Sequence, residues 1–161
     1  MLTQTELKRI LNYNPSTGIF TRLVAAGPVK AGATANFHDA RGYIIIRIAN
    51  KDYKSHRLAW FYMMGYWPKQ EIDHINGVKN DNRWENLRDV NRTVNCQNLR
   101  NPKANNKSGY LGVYWSKHNK KWRVRIEVNY KKIHFGYFDN VHEAAERYLS
   151  KKRELHEGCT I

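Results

Sequence analysis

One stretch, residues 71–100, constrains the fold of this chain more than any other part of it. Residues 71–74 and 87–90 have the length of two short strands, and the loop between them is rich in turn-forming residues. Asn91 or Thr93 can cap a helix that follows the second strand. The pattern predicts a strand, a loop, a strand and a helix whose ends bring polar residues together.

The polar residues of this stretch are of the types that metal-assisted phosphodiester cleavage uses. Asp73 and His74 are adjacent, and asparagines follow at Asn86 and Asn95. A neutral imidazole can take a proton from water while oxygen ligands hold a Mg²⁺-like ion against the scissile phosphate. An Asp-His pair alone also fits a turn in which the aspartate caps a backbone group. Together with the two asparagines, the pair favours cleavage of nucleic acid.

The charge of the chain agrees with a polyanionic partner. Lys and Arg number 28 against 14 Asp and Glu, which leaves a net charge of +14, and the pI is about 9.9. Such a chain binds acidic polymers, and the alternatives to DNA are an anionic membrane or structured RNA. No apolar run approaches the roughly 20 residues of a membrane span. We therefore expect a nucleic-acid partner and no membrane, and no obligatory protein partner is evident.

The N-terminus and the cysteines indicate the compartment. MLTQTELKRIL lacks the basic start and long apolar core of a signal peptide, so we expect a cytoplasmic protein. Cys96 and Cys159 form no CxxC pair, so neither a disulfide framework nor a structural zinc site is indicated. Any metal is expected to be held by oxygen and nitrogen.

The sequence predicts two small units, 1–100 and 109–161, joined by a polar linker at 101–108 (NPKANNKS). In the first unit, Thr3 to Glu6 form a capping-box pattern that starts an amphipathic helix carrying Leu7, Ile10 and Leu11. Further expected elements are strands at Ile19–Val24 and Tyr43–Ile48, a hairpin partner at Tyr53–His56, and a short buried helix at Leu58–Met64.

The second unit contains a strand that alternates with period two. Apolar and charged residues occupy opposite faces of 122–128. Leu111–Trp115 and Lys132–Phe138 complete an expected three-stranded antiparallel sheet. A helix that Asn140 caps carries an apolar stripe that can cover one sheet face, which leaves the other face basic. Overall, the predicted class is α+β.

Residues 56–100 resemble an HNH-type nuclease of the ββα-metal group, as found in phage-borne and intron-borne homing endonucleases. The residues that carry the likeness are His56-Arg57-Leu58, Asp73-His74, Asn76-Gly77, Asn82-Arg83, Glu85-Asn86-Leu87-Arg88 and Asn95. The family's last histidine is an asparagine here, which makes the chain an H-N-N variant. If the protein is encoded by a phage, its location is the cytoplasm of the bacterial host.

The resemblance implies a division of labour among these residues. Asp73 and Asn95 would ligate one divalent ion, Mg²⁺ or Mn²⁺, in each active site. His74 would be the general base, and Asn86 would brace the loop and the histidine. Arg57 and Arg88 could clamp phosphate or could be ordinary solvated cations. His56 could approach the cleft or could be a core histidine.

The second unit resembles the APETALA and ethylene-response-factor type of DNA-binding domain, which also occurs fused to phage HNH nucleases. The likeness rests on Gly112-Val-Tyr-Trp115, Trp122-Arg-Val-Arg-Ile126, His134-Phe-Gly-Tyr-Phe-Asp139 and Glu143-Ala-Ala145. It implies that the sheet lies in the major groove of duplex DNA. The candidate contacts are Tyr114, Lys117, Arg123, Arg125, Lys132 and His134. The first strand has Tyr114 and Ser116 where plant domains have arginines, so the plant target sequence is not transferred.

The resulting prediction is a metal-dependent endonuclease that cuts double-stranded DNA, by nicking or by double-strand cleavage. A DNA-binding regulator with a degenerate nuclease fold is the alternative from another class. Binding or cleavage of structured RNA is a third possibility, although a deep and narrow A-form groove would not admit the sheet.

Overall fold

A computed structural model describes residues 2–35 and 37–161. The chain divides into two compact units, Met1–Asn91 and Arg92–Ile161. This division falls ahead of the predicted linker, because residues 92–108 group with the second unit, where Ser108 Oγ donates to the Val113 carbonyl at 2.8 Å. The domain limits at 100 and 109 remain a prediction.

The first unit combines helices with small antiparallel sheets. Its elements are α1 (Gln4–Ile10), β1 (Leu11–Asn14), β2 (Ile19–Arg22), β3 (Phe37–His38), β4 (Ile44–Ile48), β5 (Lys51–Lys54), α2 (Ser55–Met64), β6 (Glu71–His74), a 3-10 turn (Trp84–Asn86) and β7 (Leu87–Val90). The strands pair as β1 with β2, as β3-β4-β5, and as β6 with β7.

The helix boundaries in the first unit follow from local chemistry. Thr3 caps α1, and the predicted capping box is present: Thr3 Oγ1 accepts from the Glu6 amide while the Glu6 carboxylate accepts from the Thr3 amide. α2 ends at Gly65, whose φ of +79° is a left-handed conformation that glycine adopts without strain. His56 lies inside α2 and not in the hairpin strand that the sequence predicted, because β5 ends at Lys54.

One apolar core joins the elements of the first unit. It contains α1, α2 and strand residues that are almost fully buried, namely Leu7, Leu11, Tyr13, Phe20, Ile46, Ile48, Leu58, Ala59, Phe61, Ile72 and Leu87. Ile72 and Leu87 extend this core to the β6-β7 hairpin. The last residues of β6 are therefore held against the core and shielded from water.

The second unit has the predicted sheet-on-helix arrangement. Its elements are α3 (Arg92–Gln97), β8 (Val113–Ser116), β9 (Lys121–Val128), β10 (Lys131–Phe138) and α4 (Val141–Leu155). The three strands form one antiparallel sheet in the order β10-β9-β8. Val113, Val124 and Ile126 pack with Ala144, Ala145 and Tyr148 of α4. The α+β class and the three-stranded sheet on one helix are confirmed.

Candidate active site

The β6-β7 hairpin places Asp73 and His74 at the end of a strand. Asp73 pairs across the ladder with Arg88, and His74 pairs with Leu87. The two side chains are 7% and 4% exposed, so both belong to the interior of the first unit. Burial of a carboxylate and an imidazole side by side is unfavourable unless other groups satisfy them, and the surrounding loop supplies such groups.

Arg88 satisfies Asp73 across the strand pair. Its Nε and a terminal guanidinium nitrogen donate to Asp73 Oδ2 at 2.9 and 2.8 Å. The guanidinium proposed as a phosphate clamp therefore lies on the carboxylate proposed as a metal ligand. Both contacts fall on the same oxygen, so the negative charge of Asp73 is paired with Arg88 in this structure.

His74 is held by an asparagine of the loop. Its Nε2 lies 3.0 Å from Asn82 Oδ1, and the two groups form a buried hydrogen bond. Burial lowers the pKa of His74 below its ordinary value, although the Asn82 bond and the charges of Asp73 and Asp81 act in the opposite direction. The imidazole is therefore neutral at pH 7, the form that can accept a proton.

Two further rings pack around His74. The His56 ring meets it edge to face with centroids 5.0 Å apart, and the Tyr43 ring lies 5.2 Å from His56 and 6.0 Å from His74. His56 Nδ1 is buried without a hydrogen-bond partner in the part of the chain that the structure describes. His56 combines the two positions that were considered for it. It is a buried histidine, and its ring contacts the proposed base, His74.

Positive charge lies beside this group of rings. Lys54 Nζ is 4.3 Å and Lys79 Nζ is 5.4 Å from the centre of the Tyr43 ring. Lys79 also donates to the Arg41 carbonyl at 3.0 Å. Ammonium groups beside the proposed base attract phosphate. The sequence analysis did not identify these two lysines as site residues.

Asn86 ties together the two ends of the loop. Its Oδ1 accepts from the Asn76 amide at 2.9 Å, and its Nδ2 donates to Asn76 Oδ1 at 3.0 Å and to the Asp81 carbonyl at 2.7 Å. Its own carbonyl accepts from the Ile75 amide at 2.9 Å. These bonds correspond to the loop-bracing role that the resemblance implies, whereas the side chain that bonds the histidine ring is Asn82.

The other two candidates of the nuclease motif are on helices. Arg57, on α2, donates to the Gln70 carbonyl at 3.2 Å. Asn95 is half-buried on α3 of the second unit. Its assignment as a metal ligand remains a prediction from the sequence pattern.

The donor set suits an ion that needs few protein ligands. Among the described residues, no group of three or more His, Cys, Asp and Glu side chains is placed to hold a metal. Mg²⁺ is commonly bound by one or two carboxylates together with water and substrate phosphate. A buried carboxylate beside a neutral histidine fits that chemistry, and it does not fit a closed structural zinc site.

The outer face of the β8-β9-β10 sheet gathers most of the proposed DNA contacts. Tyr114 pairs with Arg123, and Arg125 pairs with His134. The Arg125 guanidinium lies 5.3 Å from the centre of the Tyr114 ring. Lys132 is exposed on β10, and Lys117 is exposed in the turn after β8.

A residue missed from the sequence joins this face. Tyr137 lies opposite Arg123 and is 42% exposed. Its ring centre is 4.5 Å from that of His134. A register shift between His134 and Tyr137 produces this arrangement, and simple alternation along β10 does not reveal it.

Comparison with known proteins places the chain in a family. A family model described as HNH endonuclease matches residues 53–97. Protein 3.8 of Escherichia phage T7 is 34% identical over 104 residues, which cover 64% of this chain and 84% of that protein. The chain belongs to the family of Protein 3.8 and carries an HNH endonuclease domain. The predicted nuclease likeness is thus confirmed at the level of the HNH family.

A solved structure is also similar. Its subject is DNA binding and cleavage by the HNH homing endonuclease I-HmuI, and the similarity has a TM-score of 0.42 at 22% identity, covering 92% of this chain and 88% of that one. None of the described helices is long and apolar enough to cross a membrane.

Proposed function

We propose that this member of the Protein 3.8 family is a divalent-metal-dependent endonuclease that cleaves duplex DNA. The observation that carries the proposal is a buried, neutral His74 beside the Asp73 carboxylate, within the segment that the HNH family model matches. A neutral base next to an oxygen ligand is the pairing that metal-assisted hydrolysis of a phosphodiester needs.

His74 removes a proton from the attacking water. The water oxygen forms a bond to phosphorus as the bond from phosphorus to the 3′ oxygen breaks, so the products carry 5′-phosphate and 3′-hydroxyl ends. Lys54 and Lys79, beside Tyr43, favour the approach of the phosphate backbone. Asn86 is a positioning residue, because it keeps the loop after β6 closed.

Asp73 and Asn95 are the residues that we propose to hold one Mg²⁺ or Mn²⁺ ion. When bound, the ion supplies charge to stabilise the transition state and the leaving oxygen. Asp73 is supported by its burial beside His74. Asn95 is carried into the proposal by the sequence pattern.

We assign DNA binding to the second unit, as a domain of the APETALA and ethylene-response-factor type. Its support is a sheet with one face packed on α4 and the other lined by Tyr114, Arg123, Arg125 and Lys132. Arginine side chains on such a face can reach guanine edges and phosphates. The unit would position the nuclease on its target.

The test is conversion of supercoiled plasmid to nicked or linear DNA by the purified chain in Mg²⁺ or Mn²⁺. His74→Ala should lower the rate by a factor of about 10² or more, and His38→Ala, which changes an exposed histidine of the same unit, should not. Chelation by EDTA should abolish cleavage. Equal rates for the wild type and His74→Ala would refute the proposal.

One observation favours the alternative, a DNA-binding protein that does not cut. The Arg88 guanidinium lies on the carboxylate that the ion requires, and a cation there opposes metal binding. A specific footprint on DNA with no strand break in either metal would support that function. Competition with duplex RNA in the same assay separates a DNA partner from an RNA partner.

A further inference from the structure

Asn82 is an almost fully buried polar residue beside the proposed active site. It is 1% exposed, and its Oδ1 accepts the hydrogen bond of His74 Nε2 at 3.0 Å. An imidazole that donates from Nε2 has its proton on that nitrogen and its basic lone pair on Nδ1. The bond therefore selects one tautomer of the ring.

The backbone of Asn82 is held by the β1-β2 hairpin. The Tyr13 hydroxyl, itself buried, donates to the Asn82 carbonyl at 2.7 Å. Gly18, with φ of +73°, approaches so closely that a Cβ there would lie 2.3 Å from the Asn82 carbonyl carbon. The Trp84 amide donates to the Pro15 carbonyl at 2.9 Å. Two contacts with Asn82 and one with Trp84 thus hold this part of the loop against the hairpin.

The amide nitrogen of Asn82 does not stabilise the fold. Asn82 Nδ2 is buried with no hydrogen-bond partner among the residues that the structure describes. A buried donor without a partner is unfavourable by about 1–3 kcal/mol. Leucine has a similar volume and lacks this donor, but it would leave His74 Nε2 without its acceptor, so Oδ1 is the group of Asn82 that serves His74.

We infer that Asn82, fixed by the β1-β2 hairpin, is a positioning residue that holds His74 as the Nε2–H tautomer and directs Nδ1 to the water. The inference rests on the proposed function, because it assigns the nitrogen that acts as base. It also gives the N-terminal hairpin a task in the nuclease, namely to locate Asn82.

The first test is a spectrum of the full-length, metal-free wild type. ¹⁵N NMR of labelled histidine distinguishes a protonated ring nitrogen from one with a free lone pair, and the His74→Gln spectrum identifies the His74 signals among those of the seven histidines. The expected result is a protonated Nε2 at pH 7.5. A His74 ring protonated on Nδ1 would overturn the inference without any variant being made.

The second test compares variants of the asparagine. Asn82→Leu removes the acceptor, Asn82→Asp keeps an oxygen at the same place, and Asn80→Leu changes an exposed asparagine of the same loop. In Asn82→Leu we expect His74 to lose its single tautomer and the cleavage rate at saturating DNA to fall about tenfold or more, with KM for DNA little changed. Asn82→Asp should keep the tautomer, and Asn80→Leu should behave as the wild type.

Failure of the inference and failure of the proposed function are distinguishable. If nicking depends on His74 while folded Asn82→Leu keeps both the tautomer and the rate, only the role of Asn82 is wrong. If the wild type and His74→Ala cut equally, the proposed base is wrong whatever the spectrum shows. If Asn82→Leu does not fold, the wild-type spectrum and Asn82→Asp decide.

Discussion

The His56 and His74 rings meet edge to face with ring centroids 5.0 Å apart, so two histidines share one poorly hydrated space. Burial, followed by the charges of His74, Lys54 and Arg57, lowers the pKa of His56 to about 3. Burial also lowers the pKa of His74. A proton on either ring is therefore disfavoured in the folded first unit.

This pair predicts that the first unit loses stability in mild acid. Below an ordinary histidine pKa of about 6.5 the unfolded chain binds a proton, whereas folded His56 does not until the pH approaches 3, so its stabilising contribution is complete above pH 6.5 and declines as the pH falls. From pH 7 to pH 5, His56 alone should remove about 2 kcal/mol from the free energy of unfolding. Urea titrations followed at the Leu58 and Ala59 amides measure it.

The matched variants are His56→Leu and His38→Leu, one in the core and one exposed. His56→Leu should reduce the loss of stability between pH 7 and pH 5 by about 2 kcal/mol, and His38→Leu should leave it unchanged. If His56→Leu has the same pH dependence as the wild type, His56 is not the group responsible.

Gly112 should be essential for the packing of the second unit. It has a φ of +66°, and a Cβ there would lie 1.9 Å from the Tyr148 ring and 2.9 Å from the Arg125 carbonyl. Gly109 has a φ of +76° with nothing within 4 Å of such a Cβ. Gly109→Ala should therefore lower stability by about 1–2 kcal/mol, from backbone strain alone, whereas Gly112→Ala should lower it further because α4 must move. Thermal unfolding followed by the Trp122 signal compares them, and equal losses would show that the contact with Tyr148 is unimportant.

Arg88→Met should increase the response of the first unit to divalent metal. The guanidinium neutralises a carboxylate that is almost fully buried, and its removal should lower metal-free stability by about 3–5 kcal/mol. A bound divalent ion can replace that charge, so Mg²⁺ or Mn²⁺ should raise Tm more in Arg88→Met than in the wild type. The control is Arg47→Met, which breaks the exposed Arg47–Asp52 pair. An unchanged metal response in Arg88→Met would argue against an ion at Asp73.

The parts of the fold that the sequence predicted well are those that local pattern determines. The limits of β6 and β7 coincide with the prediction, since the turn-forming residues of the loop between them leave few alternatives for two short strands. Leu11 was expected in the first helix, where it continues the stripe of Leu7, but it begins β1. Leu11 joins the strand because it pairs with Arg22 of β2. That partner is distant in sequence from the helical pattern, so the pattern does not reveal it.

The candidate site was predictable to the same extent, since local motifs are readable in the sequence and long-range contacts are not. Asp73, His74 and Asn86 could be proposed from the sequence because they belong to one short motif. The contact of Asn82 with His74 depends on Tyr13 and on the close approach of the β1-β2 turn, and no periodicity in the loop encodes it. Arg88 was considered as a phosphate clamp or as a solvated cation, but its cross-strand neighbour is Asp73. Such contacts arise from tertiary approach, so residue type alone does not reveal them.

The outer face of the β8-β9-β10 sheet should account for much of the salt dependence of DNA binding. Arg125, beside Tyr114 and opposite His134, lies near the middle of this face. If it contacts a phosphate, Arg125→Gln should weaken binding to all duplexes and reduce the slope of log K against log salt by about 1. If Arg125 contacts a guanine edge, the substitution should instead cost about 1–3 kcal/mol of binding free energy at one base position.

Arg147→Gln, which changes an exposed cation of α4, is the control. Fluorescence anisotropy with labelled duplexes at several salt concentrations separates these cases, and equal affinity and slope in the two variants would exclude this face as the DNA-binding surface.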